Sequence, residues 1–300
     1  MNELLTLAAG QGNVFTTAQA TALGVGDADL TSAVKAGLCR HRARGVYAVG
    51  PPGDRPEAQH LELCRGMLLL YPDAVLAGHS AAAAHGLALW GVDYAHVLLE
   101  RPVQRQLRRS GAVIRPRISE AIVETPTGPA VPIAAACVRV SLDCGAVAGV
   151  VVTDSGLHRD MVTLDQIDRE LAAHSGQWHI QHALAMRSLV DAGSESVGES
   201  RTRVVLAAYG FEVETQCVIR DGHRVAGRAD MGIKGTKVLI EFDGALKFAD
   251  DPKALFKEKK REDWLRRLGY IVVRVTWSDL ERPGWIVAQV RRALRLAEAA

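Results

Sequence analysis

The chain has 300 residues, 48% of them hydrophobic and 23% charged, with 36 Lys and Arg against 34 Asp and Glu for a net charge of +2. That length sets an expectation of two or three domains around a substantial core, and the composition excludes a largely disordered chain. A balance so close to neutral excludes a protein whose whole field attracts nucleic acid, so any such surface must be a local patch.

The first fifty residues read as helix, helix, helix, hairpin. Residues 2–9 form a short apolar-rich helix, and Thr16 and Thr17 offer caps to a second helix ending near Leu23 and Gly24. Asp27 or Asp29 caps a third, which runs through Leu30 and Val34 to Gly37. From Leu38 to Val49, basic and apolar residues alternate around a turn at Gly45. That order is a winged helix-turn-helix, and the segment resembles the N-terminal domain of AbiEi-type antitoxins. The resemblance implies a third helix for the major groove and a wing whose Arg40, Arg42 and Arg44 contact DNA. A small helical domain that only packs on its neighbours is the competing interpretation.

Pro51-Pro52-Gly53 marks a boundary. The expected domains are residues 1–50, 55–192 and 195–300. The middle one reads as mixed α/β, with helices near 57–71, 79–90, 133–147, 164–174 and 178–191 and strands near 94–100 and 111–115. Its segment from His79 to Leu87 resembles the stretch that follows the winged helix in AbiEi-like proteins. Arg101, Arg105, Arg108, Arg109, Arg115 and Arg117 form the densest basic run without an acid. It is a candidate extension of a DNA footprint, or an exposed loop.

In the last domain a helix from Glu199 to Tyr209 precedes strands near 211–219, 223–230 and 236–242. A helix near 254–268, a strand near 270–276 and a helix near 284–297 complete it. A mixed sheet with helices on both faces is the layered α/β solution to that order. Val238-Leu239-Ile240 is an apolar strand core, so Glu241 and Asp243 sit where it runs out and, two apart, share a face. Gly232 and Gly235 read as the turn that brings Asp230 back beside them. Grouped carboxylates repel one another, and a divalent cation such as Mg²⁺ relieves that repulsion.

Gly198-Glu199-Ser200-Arg201-Thr202-Arg203, then Asp230, then Glu241-Phe242-Asp243-Gly244-Ala245-Leu246-Lys247 resemble the PD-(D/E)XK nuclease superfamily. The basic helix around Glu258–Asp263 and the strand up to Trp277 fit the same pattern. The likeness is greatest to small endonuclease-like domains (DUF559) related to very-short-patch repair endonucleases, and it spans roughly the last third of the chain. It implies a restriction-endonuclease-like domain holding Mg²⁺ or Mn²⁺ through Asp230, Glu241, the backbone carbonyl of Phe242 and, directly or through water, Glu199. Lys247 then orients the attacking water or offsets charge on the phosphate. The superfamily places a lysine two residues after the second acid, and here that place is Asp243. Lys247 therefore stands as a displaced substitute. Asp243 is left open between a catalytic metal ligand and a group that holds Lys247 or Arg261. Lys257, Lys260 and Arg261 on the following helix are candidate DNA contacts, or a solvated face diluted by Glu258, Glu262 and Asp263.

These readings give a cytoplasmic, Mg²⁺-dependent DNA endonuclease or nickase delivered by a winged helix, with RNA left open as a substrate. The rival is a DNA-binding regulator of the AbiEi-antitoxin kind whose nuclease-like domain is inactive, and Asp243 in the lysine's place favours it. The five scattered cysteines include no C-x-x-C pair and read as reduced thiols. No apolar run is long enough to span a bilayer, so a membrane is not an expected partner.

Overall fold

The structure is a computed structural model that describes residues 1–244 and 252–299, with the backbone alone over 252–258. The chain divides into two compact units, Met1–Val152 with Leu164–Ala183, and Thr153–Thr163 with Leu184–Ala300.

Unit 1 opens with α1 (Asn2–Gly10), β1 (Val14–Thr16), α2 (Thr17–Ala22), α3 (Asp27–Lys35), β2 (Cys39–Ala43) and β3 (Val46–Val49). Thr16 caps α2 by accepting the Gln19 N–H, while the Gln19 side chain takes the Thr16 N–H in return. The cap of α3 is Gly26 rather than an acid. Asp29, one turn in, reaches back to accept the Gly26 N–H. The expected hairpin is present, and β1 adds to it in the order β1-β3-β2, all antiparallel. Leu4, Phe15, Ala20, Leu30 and Ala33 form the core under this sheet, with Phe15 stacked on Tyr47 at 5.3 Å. Three helices and a β wing make this a winged helix, as the sequence implied.

The rest of unit 1 is mixed α/β. It contains α4 (Pro56–Leu70), β4 (Val75–Leu76), α5 (Gly78–Ala84), β5 (Val97–Arg101), β6 (Leu107–Arg109), β7 (Ala112–Pro116), β8 (Val123–Thr125) and β9 (Gly128–Ala130). Then come α6 (Ile133–Cys144), α7 (Ala146–His158), α8 (Leu164–Ala173) and α9 (Ile180–Leu189), with α7 and α9 running on into unit 2. The strands form a mixed sheet in the order β6-β7-β5-β4-β9-β8. The expected helix through residue 147 stops early, because Gly145 adopts a φ of 92° that only glycine takes easily.

A buried polar bridge ties α4, α5 and β5 together. His60 and Ser80 are both fully buried. The His60 ring meets the Tyr94 carbonyl through Nδ1 and the Ser80 hydroxyl through Nε2, each at 2.9 Å. The carbonyl can only accept, so Nδ1 carries the proton and Nε2 accepts from Ser80. Ser80 Oγ in turn accepts the Leu98 N–H. Burial, helped by the neighbouring His79, holds the His60 pKa down at about 4.

Unit 2 contains α10 (Val197–Ala208), β10 (Val213–Asp221), β11 (Arg224–Ile233), β12 (Val238–Phe242), α11 (Pro252–Arg267), β13 (Ile271–Val275), α12 (Trp277–Leu280) and α13 (Pro283–Glu298). Its sheet runs β10-β11-β12-β13, with β12 and β13 parallel and the other pairs antiparallel. Alternation along β12 sends Val238, Ile240 and Phe242 into a core shared with Leu206 of α10 and Ile286 and Val290 of α13. Leu239 faces the other way, toward Leu265 of α11. Helices therefore cover both faces, as expected. Gly232 is not in the turn. It lies inside β11, where a side chain would press on the Cys217 sulfur, and Gly235 alone takes the positive φ of the turn.

The His60 bridge makes stability depend on pH. Unfolded, the ring takes up a proton as pH falls through about 6.5; folded, it resists until about 4. Stability is thus fully present above pH 6.5 and is lost on acidification through that window, by on the order of 3 kcal/mol at most. Urea denaturation between pH 7 and 4.5 should show this loss, and His60→Gln should flatten the pH dependence.

Candidate functional site

The structure brings Asp230 to the end of β12 and within electrostatic reach of Glu199, and it sets one cation, Arg274, against both Glu241 and Asp243. Each of these acids already has a protein partner. Glu199 lies in the first turn of α10, 6% exposed. Its carboxylate accepts the Ser196 hydroxyl at 2.8 Å and the Glu195 N–H at 2.9 Å. Burial raises its pKa; those hydrogen bonds oppose the rise, and the nearby Asp230 charge adds to it. Asp230 is beside the end of β12, as the turn implied. Its Oδ2 accepts the backbone N–H of Phe242 at 2.8 Å, continuing by side chain the ladder that pairs Met231 with Ile240.

Glu241 and Asp243 meet guanidinium groups. Arg261 of α11 donates to Glu241 Oε1 at 2.7 Å. Arg274 lies directly across the parallel ladder from Glu241. Its guanidinium is 3.8 Å from Glu241 Oε2, 3.3 Å from Asp243 and 3.5 Å from Glu262. Asp243 therefore pairs with Arg274, and Arg261 is held by Glu241. Sequence reasoning gave Arg274 no role. The signal was present, since Ile271-Val272-Val273-Arg274-Val275 places one cation in an apolar strand. Lys260 is exposed. Lys247 and the side chain of Lys257 lie outside the described residues.

The motif Gly198 to Arg203 is largely structural. A side chain at Gly198 would collide with the Phe242 ring, so glycine lets α10 close onto β12. Thr202 bonds back to the Gly198 carbonyl. Ser200 and Arg203 both reach Asp154, a fully buried acid on α7, at 2.7 and 2.6 Å. Asp154 also accepts the Asp191 N–H, and Arg203 donates to Ser194 and to the Leu189 carbonyl. Burial raises the Asp154 pKa despite the facing Arg203. Asp154 was overlooked although it follows the apolar run Val150-Val151-Val152, where an isolated acid demands a buried partner.

The acid cluster can be tested against the Mg²⁺ and Mn²⁺ expectation. Mg²⁺ requires near-octahedral oxygens, with room for retained water. Both oxygens of Glu199, Oδ2 of Asp230 and Oε1 of Glu241 already accept hydrogen bonds from the protein. Two cationic side chains face Glu241 and Asp243. Among the described residues, no three or more His, Cys, Asp or Glu side chains are grouped to hold an ion. This donor set does not fit the metal, and no catalytic step follows from it.

The wing arginines separate in the same way. Arg40 pairs with Glu62 of α4 at 2.7 Å and donates to the Gly50 carbonyl. Arg42 pairs with Glu62 at 2.8 Å and donates to the Gln59 carbonyl. Arg44, at the wing tip, is exposed, as are Thr31, Ser32 and Lys35 of α3.

Residues 2–50 match the family model described as a transcriptional regulator, AbiEi antitoxin. The winged helix is therefore similar to a regulator-type domain. The chain is also similar to uncharacterized proteins of two Mycobacterium tuberculosis strains, CDC 1551 / Oshkosh and H37Rv. Each is 23% identical over 262 residues, which is 85% of this chain and 92% of the relative.

The Asp154–Arg203 pair yields a stability prediction. Asp154→Ala leaves a buried guanidinium uncompensated and should cost about 3–5 kcal/mol in urea denaturation. Replacing both partners, Asp154→Leu with Arg203→Met, should cost much less. Equal losses in the two variants would show that the pair is not what holds α10.

Proposed function

We propose that the protein is a DNA-binding transcriptional regulator of the AbiEi-antitoxin kind, whose nuclease-like unit does not cut. The observation that carries this reading is the regulator-family match over residues 2–50, on a segment folded as three helices and a wing. The exposed Thr31, Ser32 and Lys35 of α3 are then the groups offered to base edges, and Arg44 is a phosphate contact. In unit 2 the Arg261 and Arg274 pairing of Glu241 and Asp243 supports a non-catalytic role. A cytoplasmic location follows from regulation of DNA. Among the described residues no helix is long and apolar enough to cross a membrane.

One observation favours the rival nuclease. Glu199 and Asp230 are close enough for the Asp230 charge to raise the Glu199 pKa, as in sites that gather carboxylates for a metal. Supercoiled plasmid incubated with Mg²⁺ or Mn²⁺, beside a mobility-shift assay on duplex DNA, separates the two. The expected outcome is a shifted duplex and an intact plasmid. Metal-dependent nicking that disappears in Asp230→Ala and Glu241→Ala would establish the nuclease instead. RNA incubated under the same conditions should also remain whole.

A further inference from the structure

Residues 1–50 carry only four cations, Lys35, Arg40, Arg42 and Arg44, against the acids Glu3, Asp27 and Asp29. Glu62 holds Arg40 and Arg42. A winged helix with so little spare charge holds the phosphate backbone weakly, because each contact contributes through counterion release.

The basic run at 101–117 supplies the missing charge, and the fold sorts it. Arg101 is paired with Asp73 at 2.7 Å. Arg117 donates to the Asp73 carbonyl, and Arg115 donates through Nη1 to both carboxylate oxygens of Asp143. Arg105, Arg108 and Arg109 are exposed, and among the described residues none of them pairs with an acid. They sit on and just before β6, whose tight turn into β7 packs against the wing. Ser110 Oγ accepts the Arg44 backbone N–H at 3.1 Å. At Gly111, whose φ is 73°, a side chain would meet Ala43 of the wing at 2.8 Å. The wing tip and the β6–β7 turn thus form one edge, with Arg44 at the wing tip and Arg108 and Arg109 in the last two positions of β6, their side chains on opposite faces of that strand.

We propose that this joint edge is a single binding surface for the phosphate backbone of duplex DNA, formed by Arg44 with Arg105, Arg108 and Arg109. It rests on the DNA-binding reading above and extends the footprint beyond the winged helix. Arg108 and Arg109, flanking the wing on a separate strand, are assigned to the phosphate backbone, a contact blind to sequence.

The test is the salt dependence of binding by the full chain to a mixed-sequence DNA duplex, followed by fluorescence anisotropy. Arg108→Ala with Arg109→Ala should weaken binding at least about tenfold at low salt and shrink the slope of log affinity against log salt by about 1.8, close to 0.9 for each lost contact. Arg108→Lys with Arg109→Lys should restore most of the slope, which a merely misfolded variant would not allow. If Arg44→Ala lowers the slope while the double alanine variant keeps it, the footprint ends at the wing. That result overturns the joint surface and leaves the DNA-binding reading standing. Failure of the wild-type chain to bind the duplex at any salt overturns both. Tighter binding of an RNA duplex through the same arginines would reassign the surface to RNA.

Discussion

A carboxylate taken out of water costs several kcal/mol unless a counter-charge and hydrogen bonds replace its hydration. This requirement, met by arginine, organises both units. In unit 2, Arg203 answers Asp154 and so fixes α10, and the start of α10 is where Glu199 and Gly198 must sit to meet the sheet end. Arg261 and Arg274 answer Glu241 and Asp243 at that same end. In unit 1, one acid, Glu62, draws Arg40 and Arg42 down onto α4 and with them the base of the wing. The same pairing occupies acids that a metal would need and arginines that a nucleic acid would need.

Much of the fold was legible because it rests on local periodicity and turn chemistry. The helix-helix-helix-wing order followed from capping residues and alternating hydrophobicity. The strand and helix order of unit 2 followed from apolar runs such as Val238-Leu239-Ile240. The return of Asp230 to the end of β12 followed from the turn at Gly235. Strands β1, β4, β6, β8 and β9 were not legible, since two or three residues are too few to show alternation. Nor was the break at Gly145, because the apolar sequence runs straight across it.

The chemistry of the site was less legible, for a different reason. Glu62 lies about twenty residues from the wing arginines it binds, and Asp154 is 49 residues from Arg203. Arg274 reaches Glu241 only because β12 and β13 are parallel neighbours in register. Spacing within a motif says nothing about such partners. A run of acids reads as a ligand set until the cations opposite them are known, and a run of arginines reads as a DNA surface until its acids are known. The arginines that survive this sorting, Arg44, Arg105, Arg108 and Arg109, come from two distant stretches of sequence, and only the packing of the β6–β7 turn on the wing joins them.

The central claim is that arginine, and not a divalent ion, neutralises the acids of unit 2. Titration of Mn²⁺ into the purified chain, with bound ion read by electron paramagnetic resonance, tests it most directly. The account predicts no stoichiometric binding at millimolar metal, and a new site only after Arg261 and Arg274 are replaced by alanine. Stoichiometric Mn²⁺ binding to the wild-type chain, abolished by Glu241→Ala, would contradict it.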